Sequence, residues 1–160
     1  MMARLSNLLS RPRRLATRVT RAHGWILRRT RGRLLGRNLF FAPRQRVLAL
    51  TTVGRSSGRE RTTALGYLRE GDAFVVVASN SGMHRAPAWW RNLEEHAEAE
   101  VNAAGERVRV RARMASDEES ERLWPRFIEQ FSGFDDYRRY TAREIPLVML
   151  EPAEVGDRDA

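Results

Sequence analysis

The fold is constrained most by a succession of short apolar runs that have the length of strands and are separated by turn residues. Several runs are rich in β-branched residues, as in Val75-Val76-Val77, and a polar turn containing Gly71 joins two of them. Such runs predict β-strands, and a short turn between two of them predicts a hairpin. Six strands are predicted in this way, at residues 47–53, 62–68, 73–79, 99–103, 107–114 and 147–150.

Helical segments interrupt the predicted hairpins. Pro87 suits the first turn of a helix that runs to about His96, and Ser116 with Glu119 forms a capping box that opens another. Pro125 is expected to kink this second helix or to end its first turn, and a short helix is predicted at residues 133–140. Hairpin-connected strands with inserted helices predict a mainly β protein of the α+β type, built as a small antiparallel barrel, closed or split.

Charge divides the chain into unequal parts. Residues 1–59 contain 15 arginines and no acidic residue, whereas residues 60–160 contain 14 arginines and 20 acidic residues. Such asymmetry predicts an anionic partner for the basic part. We therefore expect a basic N-terminal segment at residues 1–44 (the leader), a barrel domain at residues 45–152 and a loose acidic tail at residues 153–160.

The leader has the spacing of an amphipathic helix. Leu15, Val19, Ala22 and Ile26 share one face, with arginines on a flanking face. This pattern is typical of helices that lie on anionic lipid, and equally of a helix that packs on its own domain. A third role for the leader, nucleic-acid binding, is the least favoured. Because no apolar run reaches the roughly 18 residues of a membrane span, we expect a cytoplasmic protein that the leader could attach to the inner face of the cell membrane.

Two residue types limit the chemistry. The chain has no cysteine, which excludes disulfides, thiolate metal sites and cysteine nucleophiles. Its histidines, His23, His84 and His96, lack the spacing of metal ligands, so no metal site is predicted.

Residues 54–62 (the basic loop) are the strongest local signal for a ligand. Gly54 and Gly58 allow a sharp turn that could gather backbone N–H groups, the serines add donors, and three arginines add positive charge. Together these features predict an anion cradle. The alternative is a solvated hairpin turn without a ligand, which composition alone favours slightly.

A second candidate ligand contact follows the third predicted strand. Ser79 and Asn80 are small polar residues near its end, and a helix with Trp89 and Trp90 in its first turn comes next. A flat aromatic cofactor could lie against such a strand end, held by hydrogen bonds and by the helix N-terminus. The alternative is that Trp89 and Leu93, four residues apart, are core residues, and for Trp89 we favour the core.

In combination these segments resemble the family of deazaflavin (F420)-dependent nitroreductases and quinone reductases, in the superfamily of split-barrel flavin-binding proteins. The similarity extends over about residues 23–152, in order and at compatible spacing. Its four blocks are residues 48–62, 75–80, 87–93 and 144–152.

The resemblance implies a split antiparallel β-barrel of the FMN-binding type and the cofactor F420, an 8-hydroxy-5-deazaflavin with a phospholactyl and oligoglutamate tail. It also implies an oxidoreductase that transfers a hydride from reduced F420 to a hydrophobic acceptor such as a quinone or a nitroaromatic. The implied contacts to the cofactor tail are Gly54, Arg55, Ser56, Ser57, Arg61 and Thr62. The implied contacts to the deazaflavin ring are Val77, Ala78, Ser79, Asn80, Ala88, Trp89 and Asn92.

The resemblance also implies an acceptor pocket formed by Trp90, Phe131, Phe134 and Tyr137. Phe131 and Phe134 stand where nitroreductases of the family have tyrosines, which disfavours nitroimidazole-type activity. Ser79 and Tyr137 are the candidate catalytic residues, Ser79 as a hydrogen-bonding group near the reactive ring edge and Tyr137 as a donor to the reduced acceptor.

One further departure falls on the loop, where Ser56 stands in place of a common lysine. Two other functions therefore stay open. One is a barrel that binds FMN or haem, and the other is a non-enzymatic basic protein that binds a membrane surface or nucleic acid through the leader.

Overall fold

A computed structural model describes residues 46–153, and within this range the chain forms one closed antiparallel barrel with inserted helices. The leader and residues 154–160 lie outside the described residues, and so does the predicted amphipathic helix. The strands are β1 Arg46–Val53, β2 Glu60–Glu70, β3 Ala73–Val77, β4 Glu98–Ala103, β5 Glu106–Met114 and β6 Leu147–Pro152. The helices are α1 Ala88–Glu95, α2 Asp117–Gln130 and α3 Gly133–Tyr140, with a 3-10 turn at Asn80–Gly82.

The strands follow the order β1-β2-β3-β6-β5-β4 around the barrel, and β4 pairs with β1 to close it. The predicted hairpins β2–β3 and β4–β5 are both present. Closure depends on two pairings between distant parts of the chain, β3 with β6 (Phe74 opposite Leu150) and β1 with β4 (Leu50 opposite Val101). The predicted antiparallel barrel is therefore confirmed, and it is closed.

Strands β3 and β6 are buried on both faces. Phe74 and Val76 point into the barrel with Leu150, whereas Val75 and Val77 pack outside it, in a second cluster that includes side chains of α2 and α3. This explains why residues 73–77 form a continuous apolar run rather than an alternating one.

Helix α2 begins as predicted but ends later. The Ser116 hydroxyl accepts a hydrogen bond from the Glu119 N–H at 3.2 Å, and the Glu119 carboxylate accepts from the Ser116 N–H at 2.8 Å. The Arg113 guanidinium and this backbone N–H lower the pKa of Glu119 to about 2. The expectation that Pro125 could end the first turn is wrong, because α2 continues to Gln130. Burial of its apolar face, which includes the fully buried Phe127, offsets the cost of about 3 kcal/mol of a proline inside a helix.

The basic loop, which follows β1, and the segment that follows β3 lie at the same end of the barrel. Strands β1, β3 and β5 end there and β2, β4 and β6 begin there, as the pairing registers require. We call this the site end. Helix α1 covers it by inserting Trp89 and Leu93 into the interior cluster. None of the helices within residues 46–153 is long and apolar enough to cross a membrane.

Barrel closure predicts that truncation of two apolar side chains, one buried and one exposed, lowers stability by very different amounts. Leu150→Ala removes a fully buried side chain at the β3–β6 pairing and should lower the free energy of unfolding by about 2–5 kcal/mol. Met114→Ala removes a side chain that is 53% exposed and should cost less than about 0.5 kcal/mol. Urea denaturation measures both values, and equal losses would contradict the packing described here.

Candidate functional site

The basic loop is a tight turn that needs both of its glycines. The Gly54 N–H donates to the Arg59 carbonyl at 2.8 Å, and the Ser57 and Gly58 N–H groups donate to the Gly54 carbonyl at 3.0 and 2.7 Å. Gly58 has φ +62°, a conformation that favours glycine. A Cβ atom at Gly54 would lie 2.8 Å from the Ser57 hydroxyl and 3.1 Å from the Arg59 carbonyl oxygen. The loop therefore has a defined shape before any ligand binds.

Four backbone donors of this loop, those of Gly54, Ser57, Gly58 and Arg59, bond within the loop itself, which differs from the predicted cradle. In addition to the three bonds above, the Arg59 N–H donates to the Ser57 hydroxyl at 3.4 Å. Positive charge for an anion comes instead from the side chains of Arg55, Arg59 and Arg61, of which the last two are exposed. None of the three has an ion-pair partner among residues 46–153.

One buried amide joins the loop, the barrel and α1. Asn92 is 4% exposed, and its Oδ1 accepts from the Arg55 N–H at 3.2 Å and from Arg55 Nη1 at 3.4 Å. Its Nδ2 donates to the hydroxyl of Thr52 at 3.1 Å, and that hydroxyl donates to the Arg61 carbonyl at 3.5 Å. Asn92 thus holds the loop against α1, and its predicted contact with the ring stays a prediction.

Thr52 was not among the predicted site residues, although the sequence contains a signal for it. It follows Leu48 and Leu50 at the strand period of two, so it occupies an inward position, and it is 1% exposed. A hydroxyl at such a position needs a buried partner, which Asn92 supplies. Thr62, a predicted tail contact, lies on the other side of the β1–β2 pair, where its hydroxyl is 2.9 Å from that of Thr51.

The segment after β3 turns in a left-handed conformation. Val77 is the last residue of β3, and the Ala78 N–H donates to the Pro146 carbonyl at 3.0 Å. Asn80, Ser81 and Gly82 then have φ values of 46°, 55° and 69°. For the two non-glycine residues this conformation costs about 1–2 kcal/mol each, so surrounding contacts must hold it. Ser79 precedes the turn and is 9% exposed.

Arg143 is the principal contact to this segment. Its Nη2 donates to the carbonyls of Ala78 and Ser79 at 3.1 and 2.6 Å, and its Nε donates to the carbonyl of Met83 at 2.9 Å. Partial burial lowers the pKa of Arg143 from its usual value, but an arginine stays charged. Local sequence pattern does not reveal this residue, because its partners lie 60–65 positions earlier in the chain.

Helix α1 begins beside the same segment. Pro87 occupies the N-cap position, and no capping side chain accepts a hydrogen bond from the N–H groups of the first turn. Ala88 is exposed there, and Trp89 is 5% exposed within the interior cluster, which confirms the core interpretation. Trp90 is half-buried against the same cluster, with its ring 6.4 Å from that of Trp89.

Three of the four predicted pocket residues lie together. The ring centroids of Phe131 and Phe134 are 5.2 Å apart, and Tyr137 is 6.1 Å from each. Phe134 is 9% exposed and contacts Phe127, so it is a core residue of the outer cluster. Tyr137 approaches the left-handed turn closely, since a Cβ atom at Gly82 would lie 3.3 Å from the Tyr137 Cα. Trp90, by contrast, belongs to the interior cluster and not to this group.

A separate cavity of 720 Å³ lies between α2 and the residues that precede β6. Its walls include Trp124, Ile145 and Arg138, whose guanidinium lies 4.7 Å from the Trp124 ring centroid. None of the predicted site residues lines it, although Arg143 and Pro146 in its wall bond to the segment after β3.

The fold places the chain in the class of split β-barrel proteins. A solved F420-H2-dependent reductase superposes with a TM-score of 0.61 at 26% identity, covering 71% of this chain and all of that one. A heme storage protein of Vibrio cholerae, at 17% identity and a TM-score of 0.50, covers 69% of this chain and 84% of its own, and shares the fold alone.

Sequence comparison identifies the family. The model for F420H(2)-dependent quinone reductases matches residues 19–152. An F420H(2)-dependent quinone reductase of Mycobacterium tuberculosis is 36% identical over 141 residues, which cover 86% of this chain and 93% of that protein. The chain therefore belongs to the F420H(2)-dependent quinone reductase family, and it is an F420-dependent oxidoreductase. The predicted family, fold class and cofactor are confirmed.

The Asn92 network predicts a specific loss of stability. Asn92→Ala leaves the Arg55 N–H without its acceptor and the buried Thr52 hydroxyl without its donor, so the free energy of unfolding should fall by about 1–3 kcal/mol. Hydrogen exchange at the Arg55 amide should accelerate as well. Glu94→Ala, at an exposed position of the same helix, is the matched control and should change stability by less than about 0.5 kcal/mol. Equal behaviour of the two variants in urea denaturation and exchange would refute the role of Asn92.

Proposed function

We propose that the site end binds F420, with the acidic tail at the basic loop and the deazaflavin ring against residues 77–80 and the start of α1. We propose further that a quinone-type acceptor docks beside Phe131, Phe134 and Tyr137. When bound in its reduced form, F420 would supply the hydride. The observation that carries this proposal is that the basic loop and the segment after β3 lie at the same barrel end, which α1 covers.

The basic loop fits the tail through its side chains. Phosphate and glutamate carboxylates are anions, and arginine binds both in bidentate geometry. Arg55, Arg59 and Arg61 offer three guanidinium groups without ion-pair partners among the described residues, on a turn whose shape is already fixed by its own hydrogen bonds. Ser56 adds a hydroxyl, and its neutral side chain leaves the loop dependent on these arginines.

The ring is proposed to contact the backbone of residues 77–80 and the free N–H groups at the start of α1, beside Ala88. These N–H groups and the positive end of the helix favour a carbonyl or an anionic edge of the ring. Ser79 would donate its hydrogen bond from a position that is only 9% exposed, where competition from water is small. Binding and orienting the ring in this way is the protein's main contribution to hydride transfer.

We propose that the quinone contacts apolar side chains and one hydroxyl, that of Tyr137. Reduction of a quinone by a hydride also requires a proton, which the Tyr137 hydroxyl or solvent would supply to the quinone oxygen. Phe131 and Phe134 contribute no donors, and Phe134 is fixed by its contact with Phe127. The arrangement favours quinones over acceptors that need several polar contacts.

Titration with oxidised F420 tests the tail site. Arg61→Ala should weaken binding at least about tenfold, since a charge-assisted hydrogen bond contributes about 1.5–3 kcal/mol, and the remaining affinity should depend less on salt. Arg107→Ala is the control, because Arg107 is also exposed but lies on β5 beside the opposite hairpin turn. Equal affinity of both variants would refute the loop assignment, and binding of FMN without F420 would refute the cofactor assignment at this site.

We also propose that the leader attaches the protein to an anionic membrane surface, at the inner face of the cell membrane, where hydrophobic quinones are dissolved. The support is its charge, since residues 1–44 contain 12 of the 15 arginines that precede the first acidic residue, Glu60. Juxtamembrane basic residues contribute about 1 kcal/mol each to binding of anionic lipid. Nucleic acid is not proposed as a partner.

Deletion of residues 1–44 should abolish sedimentation with vesicles that contain anionic lipid and leave the F420 dissociation constant unchanged. The full chain with vesicles of neutral lipid is the control and should bind weakly. Vesicle binding that survives the deletion would contradict the membrane role and leave the F420 site unaffected.

A further inference from the structure

We propose that Arg143 is a positioning residue for the deazaflavin ring, and that it acts by holding residues 78–83 in their left-handed turn. This inference rests on the proposed function, since it assigns a role within the proposed ring site. It adds a residue that follows Tyr137 by six positions, bonds to the backbone of this segment and makes no proposed contact with the cofactor.

The guanidinium of Arg143 bonds to the backbone at several points of this segment. Its donors reach four backbone carbonyls, those of Ala78, Ser79 and Met83 in the segment and that of Glu144 beside itself, at 2.6–3.1 Å. Among the described residues no other side chain donates to the three carbonyls in the segment. A planar group with donors in a rigid fork can hold several carbonyls at once, which a lysine ammonium cannot reproduce in the same geometry.

The bonds from Arg143 oppose backbone strain in the turn. Asn80 and Ser81 both have positive φ values, and such conformations persist only where surrounding contacts determine them. The turn's own hydrogen bonds, Gly82 N–H to Ser79 carbonyl at 3.0 Å and Met83 N–H to Asn80 carbonyl at 3.1 Å, lie between the points that Arg143 holds. Arg143 therefore fixes both ends of the strained turn.

Arg143 also differs from arginines that form ion pairs elsewhere in the barrel. Arg113 and Arg126 each pair with a glutamate, Arg126 with Glu70 at 2.6 Å. Arg143 has no carboxylate partner among the described residues, and its guanidinium donates to backbone oxygens alone. Its position is set by the two chain segments that it joins, residues 78–83 and the Thr141 turn, where the Thr141 hydroxyl accepts from the Arg143 N–H at 3.4 Å.

The test separates ring affinity from tail affinity with two probes. One is oxidised F420, and the other is the 8-hydroxy-5-deazaflavin ring with its ribityl chain but without phosphate or glutamates. Arg143→Lys should weaken binding of the ring probe about tenfold. The ratio of the two dissociation constants, which reports the tail contacts, should stay within about twofold of the wild-type ratio, because the basic loop is untouched.

Arg126→Lys is the matched control, because Arg126 also joins a helix to the barrel, through Glu70 and the Arg69 carbonyl at the opposite barrel end. It should leave both dissociation constants unchanged. Unchanged ring affinity in Arg143→Lys, or an equal loss in Arg126→Lys, would overturn the inference. A wild-type protein that binds neither probe would contradict the proposed function itself, before any variant is compared.

A second variant tests the same mechanism by relieving the strain of the turn. Ser81 is exposed, and Ser81→Gly lowers the cost of its positive φ. If Arg143 acts by holding the strained turn, adding Ser81→Gly to Arg143→Lys should raise the affinity for the ring probe about threefold. The effects of the two substitutions on this affinity should then be non-additive. Additive losses would overturn the inference.

Discussion

The pairing of β3 with β6 is the constraint on which the site depends. It joins Phe74 to Leu150 across more than seventy residues, closes the barrel and buries both faces of β3. Because β3 ends at the same barrel end at which β6 begins, the pairing also sets the residues after β3 beside those before β6. The bonds from the Ala78 N–H to the Pro146 carbonyl and from Arg143 to Ala78 and Ser79 follow from that register.

Two polar contacts then give the site end its shape. Asn92 attaches the basic loop to α1, and Arg143 attaches the segment after β3 to the turn before β6. Each uses nearly all its polar atoms on protein partners, so each shapes the site without needing a ligand. In the proposed site the exposed arginines of the loop would bind the anionic tail, and the pre-formed turns would reduce the ordering cost of binding the cofactor.

Much of the fold could be predicted from local pattern, and much of the site could not. Alternation and turn residues located the hairpins, and the Ser116–Glu119 spacing located the start of α2. The contacts of Thr52 and Arg143 lie 40 and 60–65 residues away in sequence, so no local pattern contains them. That four of the loop's N–H groups bond within the loop depends on backbone angles that Gly54 and Gly58 allow but do not specify.

The central claim is that one barrel end, formed by the basic loop, residues 77–83 and the start of α1, binds F420. Hydrogen–deuterium exchange with and without oxidised F420 tests it most directly, because it reports position along the chain. The account predicts that protection on binding is confined to residues 54–62, 77–83 and 88–92. Protection concentrated instead on the cavity between α2 and residues 142–147, with the basic loop unchanged, would contradict it.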